Sequence, residues 1–368
     1  MGTIYNKSTS WRDQGRKNNS YDILAIWVNY NSMHIIETAK QSLLSVDIST
    51  RNTRVNIDLV IVDNNSQDGS YEVLKKFREK LELKTIIVRT KRNWGFAGGA
   101  NLGYMLREKI REKEYDFLLL LNNDAVLIKN SLPKLAMILE ETGYAGIQGV
   151  IHNPRGGIDN WGYLVDELLV SHPIKIVGSS AVHPTYLSGA YSLYSMNAIE
   201  KCIGKKRLFF EYLPAYFDDK ILGLRLWNCG YKLVAIPIES AIHLHGATFS
   251  RYSLYHIYNA VLSYTASLYT TRTRYRKILW LVLLKNILRL VAKSRELGTK
   301  LVGTITRALR EGAYYGNSLK EKGLVLDLYK APYIAIEAED IPKILAKPKI
   351  GLNQLLILDT IKQYIEEY

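Results

Sequence analysis

The chain has 368 residues, 47% hydrophobic and 23% charged, which excludes a disordered polymer and allows one large globular domain or two modest ones. No stretch approaches the ~18 uncharged apolar residues of a membrane span, and residues 1–20 are polar and basic, without the apolar segment of a secretory signal. The formal net charge of +14 is uneven, since residues 251–323 hold fourteen Lys and Arg against three Glu.

Residues 1–20 read as a flexible leader. Residues 23–28 then predict a strand, with an amphipathic helix near 34–46. A second strand over 57–62 precedes a helix near 70–83, and a third strand over 84–89 precedes a helix over 97–113. Residues 117–121 form a continuous apolar strand that runs into Asn122-Asn123-Asp124. Apolar runs of this kind suit parallel strands covered on both faces, and their alternation with helices implies βαβ units in a doubly wound sheet. Residues 145–195 are short apolar pieces broken by Gly, Pro, His and Asn, which read as irregular structure with one or two added strands. A helix from near Asp219 to before Gly230 follows, then extended pieces at 232–236 and 241–243. From about Ser253 the pattern is helical, and residues 324–368 form a near-neutral tail with a last helix at 352–367. The expected organisation is an α/β domain over 21–250, divided near residue 125, a basic helical region over 251–323, and the tail. Cys202 and Cys229 show no metal-ligand spacing, a chain of this size needs no disulfide, and a reducing, cytosolic setting fits.

Four polar motifs stand out. Asp63 ends an apolar strand and leads into Asn64-Asn65-Ser66-Gln67-Asp68-Gly69-Ser70. A carboxylate there can accept from a nucleobase imide or a ribose hydroxyl, or it can simply bond its own turn. Asp68 reads as a cap for the following helix. The Gly-rich stretch from Gly95 to Gly103 precedes a helix and suits close backbone approach to an anion. It is neither a GxGxxG after the first strand nor a GxxxxGK[ST] loop, which argues against a dinucleotide dehydrogenase and a P-loop NTPase. Asp124 ends the most apolar strand, where a hard cation takes one or two carboxylates plus phosphate oxygens. Asp218 and Asp219 begin a helix, where an acidic pair either caps the helix or serves as a general base. His243 and His245 follow a short apolar strand, and each reads as a metal ligand or a satisfied structural His. Carboxylates at neighbouring strand ends of an open α/β sheet converge on one crevice.

In this order and spacing the motifs resemble the family 2 inverting glycosyltransferases of GT-A fold, in their rhamnosyltransferase-like branch. The pattern is VDNxSxDGS, NxGFAGGxNxG, LNxD, SGA, an acidic ED pair and a late HxxGxS. Here it stands at Asp63 to Ser70, Asn93 to Gly103, Leu121 to Asp124, Ser188-Gly189-Ala190, Asp218-Asp219 and His243 to Thr248, so the resemblance spans about residues 21–251. It implies a mostly parallel, doubly wound α/β sheet with a helical C-terminal extension. It also implies a hexosyltransferase-type enzyme, with a nucleotide-diphosphate sugar of the UDP, dTDP or GDP type as donor and a divalent cation, Mg or Mn, as cofactor. The acceptor would be a glycan or a lipid-linked glycan. Carried over by position, Asp63 would bind the base and Asp124 the metal, with His243 completing the metal or diphosphate site. Asp219 would be the catalytic base with Asp218 beside it, and Asn29, Asn93, Gly95, Phe96, Asn101 and Asn123 would line the donor pocket.

The chain departs from the pattern in three places. Asn122 and Asn123 leave a single carboxylate in the DxD-like motif, Asp218 replaces a Glu, and Ile221 stands where relatives carry a further Asp. A catalytically silent nucleotide-sugar or glycan-binding protein on the same fold is therefore the alternative.

In the basic region, Lys285, Arg289 and Lys293 recur at helical spacing among leucines, downstream of Arg272, Arg274, Arg276 and Lys277. Such a helix either lies in an anionic membrane surface, at the inner face of the membrane, or packs on the catalytic domain with its charged face in water. No nucleic-acid motif accompanies this charge, and the excess lies outside the motif-bearing region, so no nucleic-acid partner is expected.

Overall fold

A computed structural model describes residues 20–346 except 113, 176–177, 211–216, 245–252 and 294–296. The expected leader up to residue 19, His245 and the expected last helix at 352–367 lie outside the described residues.

The first half follows the predicted alternation: β1 (Tyr21–Asn29), α1 (Ile36–Thr50), β2 (Val55–Asp63), α2 (Ser70–Phe77), β3 (Lys84–Arg89), α3 (Gly95–Ile110) and β4 (Phe117–Asn122). Then come β5 (Ala125–Leu127), α4 (Ser131–Thr142), β6 (Gly146–His152), β7 (Ile158–Asn160), β8 (Tyr163–Asp166), β9 (Ser171–Pro173) and β10 (Tyr191–Ser195). Next are α5 (Met196–Cys202), α6 (Asp218–Asn228), β11 (Leu233–His243), α7 (Leu254–Thr270), β12 (Thr271–Arg272), α8 (Leu279–Lys293) and α9 (Gly298–Glu321). The described chain closes with β13 (Leu326–Asp327), β14 (Tyr333–Ile334) and α10 (Ile341–Ala346).

The main sheet has the order β3-β2-β1-β4-β10-β6-β11-β5. The β3-β2-β1-β4 half is parallel, whereas β10 runs antiparallel to both β4 and β6, and β5 is antiparallel to β11. Alternate residues of β1 point to opposite layers. Leu24 and Ile26 pack on the side of α3, while Ile23, Ala25 and Trp27 pack on the side of α1 and α4. Both faces are covered, which is why these strands read as unbroken apolar runs.

The two extended pieces expected at 232–236 and 241–243 are one strand. β11 shifts register against β6 between Ala235 and Glu239 and again before Ala241. Past those irregularities Ala241 and Ile242 pair with β6 on one edge and with β5 on the other. A chain of this size needs no disulfide, yet Cys202, at the end of α5, and Cys229, just after α6, form one across 27 residues. A contact between two helix ends leaves no signature in cysteine spacing, and cysteine usage therefore no longer argues for a reducing compartment.

Helix α6 is seated by one glycine. A Cβ at Gly223 would stand 2.4 Å from Tyr186 Cβ and 2.7 Å from the Thr185 carbonyl oxygen. Gly223→Ala is expected to destabilise the fold by about 1–3 kcal/mol through this overpacking. The effect should appear as a lower urea midpoint at unchanged slope; an unmoved midpoint would show that α6 sits more loosely.

The C-terminal segment is built into the domain. β14 pairs in parallel with β8, which also pairs with β9. The buried Glu167 carboxylate accepts from Arg274 Nη2 (2.8 Å), the Tyr329 hydroxyl (3.0 Å) and the Ile336 N–H (2.8 Å). Among the described residues, no helix is long and apolar enough to cross a membrane.

Candidate active site

The strand register gathers the polar motifs at one end of the sheet. Asn29 stands opposite Asp63 in the β1–β2 ladder, and Val28 stands opposite Asn122 in β1–β4. Asn29 Nδ2 donates to Asp63 Oδ1 at 2.8 Å, and Asn123 Nδ2 reaches Asn29 Oδ1 at 3.5 Å.

Asp63 is fully buried, and both of its oxygens are engaged. Besides Asn29, it accepts from the Ser66 N–H (3.0 Å) and the Ser66 hydroxyl (2.6 Å), and Arg89 Nε lies at 3.4 Å. A base contact by Asp63 therefore competes with bonds it already makes. Asp68 accepts from the N–H and hydroxyl of Ser70, the first residue of α2, and from the Met33 N–H, so it ties the turn to both neighbouring segments. Together these bonds hold its carboxyl below the ordinary aspartate range against the opposing pull of burial.

The Gly-rich motif is locked onto this turn. Asn64 Nδ2 donates to the Gly95 carbonyl at 2.7 Å, and Asn93 Oδ1 accepts from the Gly95 N–H at 2.8 Å. Gly95 has a φ of +70°, which a side chain would strain, and a Cβ at Gly99 would meet Val28 Cγ1 at 2.9 Å. Asn93 is exposed, and Phe96 packs tilted against Phe209 with ring centroids 6.1 Å apart. Asn101 is the exception to its expected place in the donor pocket. Its amide is buried, donating to the Phe209 carbonyl (2.8 Å) and accepting from the N–H groups of Leu208 (2.9 Å) and Phe209 (2.8 Å). It clamps the segment after α5 to α3, a long-range role that a local motif cannot reveal.

Asp124 meets His243 because β5 pairs with the end of β11, placing His243 opposite Ala125. His243 Nε2 lies 3.2 Å from Asp124 Oδ1, and its Nδ1 lies 3.3 Å from Asp159 Oδ2. Burial alone would lower the imidazolium pKa, but the hydrogen bonds and charges of Asp124 and Asp159 outweigh it and raise it to about 9. Asp159 lies in the stretch read as irregular. A three-residue strand gives no periodicity to read, and only the Trp161-Gly162 turn beyond it marks the place.

Asp219 sits at the start of α6. Its Oδ1 accepts from the Lys220 N–H at 2.8 Å, and its Oδ2 faces the Gly189 N–H at 3.4 Å. Burial pushes its carboxyl up, against the lowering effect of those N–H groups and the Lys220 ammonium. Asp218 is pushed up to about 7, first by burial and then by the charge of Asp219. Lys220, which pattern reading passed over, is buried and lowered to about 8 by that burial, with Asp219 and Asp166 pulling the other way. Its Nζ donates to Ser267 Oγ at 3.2 Å, linking the acidic helix to α7. Tyr163 and Tyr186 stack in parallel, with centroids 4.8 Å apart. Burial raises both hydroxyls, and the charge of Asp219 adds to this in each.

The Ser188-Gly189-Ala190 turn joins the two halves. Ala190 accepts from the Asn122 N–H at 3.0 Å, while Gly189 faces Asp219. From there Gln148 Oε1 accepts from the Ser188 N–H (2.6 Å), Gln148 Nε2 donates to Asn160 Oδ1 (2.8 Å), and Asn160 Nδ2 donates to Asp159 (3.1 Å). A polar chain thus runs from Asp219 through Gln148, Asn160, Asp159 and His243 to Asp124. Gln148, Asn160 and Asp159 carry no motif, so sequence patterning could not single them out.

Among the described residues, no group of three or more His, Cys, Asp or Glu side chains is arranged to hold a metal ion. The donor set still fits a cation shared with phosphates. It offers one carboxylate (Asp124) and one imidazole (His243) whose far nitrogen faces a second carboxylate, as the outer partners of metal-bound His do.

Residues 25–203 match the family model for glycosyl transferase family 2. An uncharacterized protein of Methanocaldococcus jannaschii is 23% identical over 97 residues, 26% of this chain and 42% of that protein. The chain thus spans less than half the length of that relative. Similar solved structures include S. aureus TarS, at 15% identity and a TM-score of 0.48 over 81% of this chain and 50% of that one. The mannosyltransferase PcManGT of Pyrobaculum calidifontis, in complex with GDP-Man and Mn2+, is 15% identical with a TM-score of 0.48, over 84% of this chain and 83% of that one. GalNAc-T7 with UDP, GalNAc and Mn2+ is 13% identical with a TM-score of 0.49, over 82% and 57%. At these scores the likenesses carry no argument about chemistry. The family match and the sheet topology define a GT-A fold with a helical C-terminal region.

Proposed function

We propose that this chain, which carries a glycosyl transferase family 2 domain across residues 25–203, moves a hexosyl-type sugar from a nucleotide diphosphate to an acceptor hydroxyl by single displacement, with inversion. The reading rests on one observation: the continuous polar chain that links Asp219 to the Asp124–His243 pair. It makes one site of a base and a diphosphate position that are far apart in sequence.

In this mechanism Asp219 takes the proton of the acceptor hydroxyl as the oxygen attacks the anomeric carbon. Its raised pKa suits that task, because a buried carboxylate is a stronger base than an exposed one. Gly189 and Lys220 fix its two oxygens through their N–H groups, and the Asp219 N–H bonds the Asp218 carboxyl at 3.2 Å. Asp124 and His243 would hold a divalent cation, Mg or Mn, with Asp159 fixing the imidazole orientation; the ion would offset the charge growing on the departing diphosphate. Asn123, Asn93, Gly95 and Phe96 would border the nucleotide, over a floor shaped by Asn29 and Asp63. Tyr163, stacked on the buried Tyr186 and within electrostatic reach of Asp219, would border the acceptor, a glycan or lipid-linked glycan. The order of the motifs supports placement in the rhamnosyltransferase-like branch.

Calorimetric titration with UDP, dTDP and GDP, each with and without Mn2+, tests the donor site. One of the three is expected to bind at micromolar concentration and only with the cation. Absence of binding by all three would remove the Asp124–His243 site as described. The single carboxylate in Asn122-Asn123-Asp124 and the engaged oxygens of Asp63 favour, as a second reading, a binding protein that holds a nucleotide sugar or glycan without transferring it. Nucleotide binding with no transfer to any acceptor glycan would select that reading.

A further inference from the structure

Helix α8 does not turn a charged face to water. Its inner side buries Leu279, Val282 and Leu283. The opposite side carries Trp280 (49% exposed), Leu281 (55%), Leu284 (53%) and Leu288 (61%). At about 100° per residue these four fall within one sector roughly 100° wide. Of the expected basic stripe, Lys285 is turned to the Ile344 carbonyl at 2.7 Å, while at about 100° per residue Arg289 and Lys293 fall outside the apolar sector, on the side turned to α7. Arg272, Arg276 and Lys277 are exposed just ahead of the helix.

A cleft of about 320 Å³ opens on that other side of α8, between it and α7. Its lining includes His256 and Tyr264 of α7 and Leu283, Asn286, Arg289 and Lys293 of α8. Cationic and amide donors at one side and leucine at the other suit a ligand with anionic oxygens joined to an apolar tail. A row of exposed leucines would gain nothing on a polynucleotide backbone, whereas beside basic residues it matches an anionic bilayer interface.

We propose that the outward face of α8 inserts into the interfacial zone of an anionic membrane, with Arg276 and Lys277, exposed just ahead of the helix, meeting lipid phosphates. The cytoplasmic leaflet carries that charge. The inference does not depend on the transferase reading, because lipid binding is measured without donor or acceptor.

The test is cosedimentation of the full chain with phosphatidylcholine vesicles, with and without roughly one-third phosphatidylglycerol. At low salt the chain should bind the anionic vesicles at least about tenfold more tightly than the neutral ones. Leu284→Glu with Leu288→Glu should weaken that binding by more than about tenfold, since two apolar side chains leave the interface. Arg276→Glu with Lys277→Glu should also weaken it about tenfold or more. Both pairs change side chains away from the buried positions Leu279, Val282 and Leu283, and circular dichroism confirms that each variant is folded. Failure of the unaltered chain to bind anionic vesicles overturns the proposal, and so does unchanged binding by both pairs. A dimer in sedimentation that Leu284→Glu with Leu288→Glu dissociates, with no vesicle binding, would assign the face to a second copy instead.

Discussion

Asp219→Asn is expected to slow sugar transfer by about 10²–10⁴-fold, the range lost when a positioned general base is removed. Nucleotide-diphosphate affinity should change by less than about threefold, because Asp219 touches the acceptor side of the turn and not the donor loop. The substitution is nearly isosteric, and the amide oxygen can still accept from the Lys220 N–H that now bonds Oδ1. A parallel collapse of nucleotide binding would mean that the substitution had disturbed the turn, and Asp219 would lose its claim to the role of base. The pH profile gives a second readout. A base must be unprotonated to work, and burial raises both carboxyls, Asp218 to about 7. Activity should therefore begin to fall, as pH drops, while still above the ordinary aspartate range. An acid limb confined to the usual carboxylate range would count against the pair.

The second large effect belongs to the histidine between two carboxylates. His243→Ala and Asp124→Asn should each weaken cation-dependent nucleotide binding by on the order of 10–100-fold. Asp159→Asn should do so at the lower end of that range, since it acts on the cation only through the ring it orients. Titrating each variant with the nucleotide selected by calorimetry, with and without Mn2+, separates the cases. If Asp159→Asn left Mn2+-dependent binding untouched while Asp124→Asn abolished it, His243 would be a structural ion-pair partner and not a ligand.

The parallel half of the sheet could be read from sequence because each element announces itself locally. Residues 117–121 are apolar throughout, and Asn122-Asn123-Asp124 ends them abruptly. What escaped reading depends on partners distant in the chain. Asp159 matters only because β7 lies beside β6 and β6 beside β11. Asn101 looks like a pocket residue until it is seen to bond Leu208 and Phe209. The two extended pieces around Glu239 read as separate because bulged residues break the alternation that marks a strand. Cys202 and Cys229 meet only once α5 and α6 are docked. The outward leucines of α8 were visible as leucines, but which of them the core would cover was decided by α7 and α10.

The pairing of β14 with β8 also bears on the order of events during synthesis. A ribosome releases the parallel sheet early, and that half has what it needs to collapse at once. The strand bearing Tyr163 must wait for Tyr333 and Ile334, and Glu167 must wait for Ile336, 169 residues later. Contacts spanning such separations form late and slowly. The nascent chain is therefore expected to hold a finished parallel sheet beside a β8–β9 pair that lacks its third strand until residues 333–336 have emerged. Release of the last segment, more than any step before it, closes the ground on which the acceptor would rest.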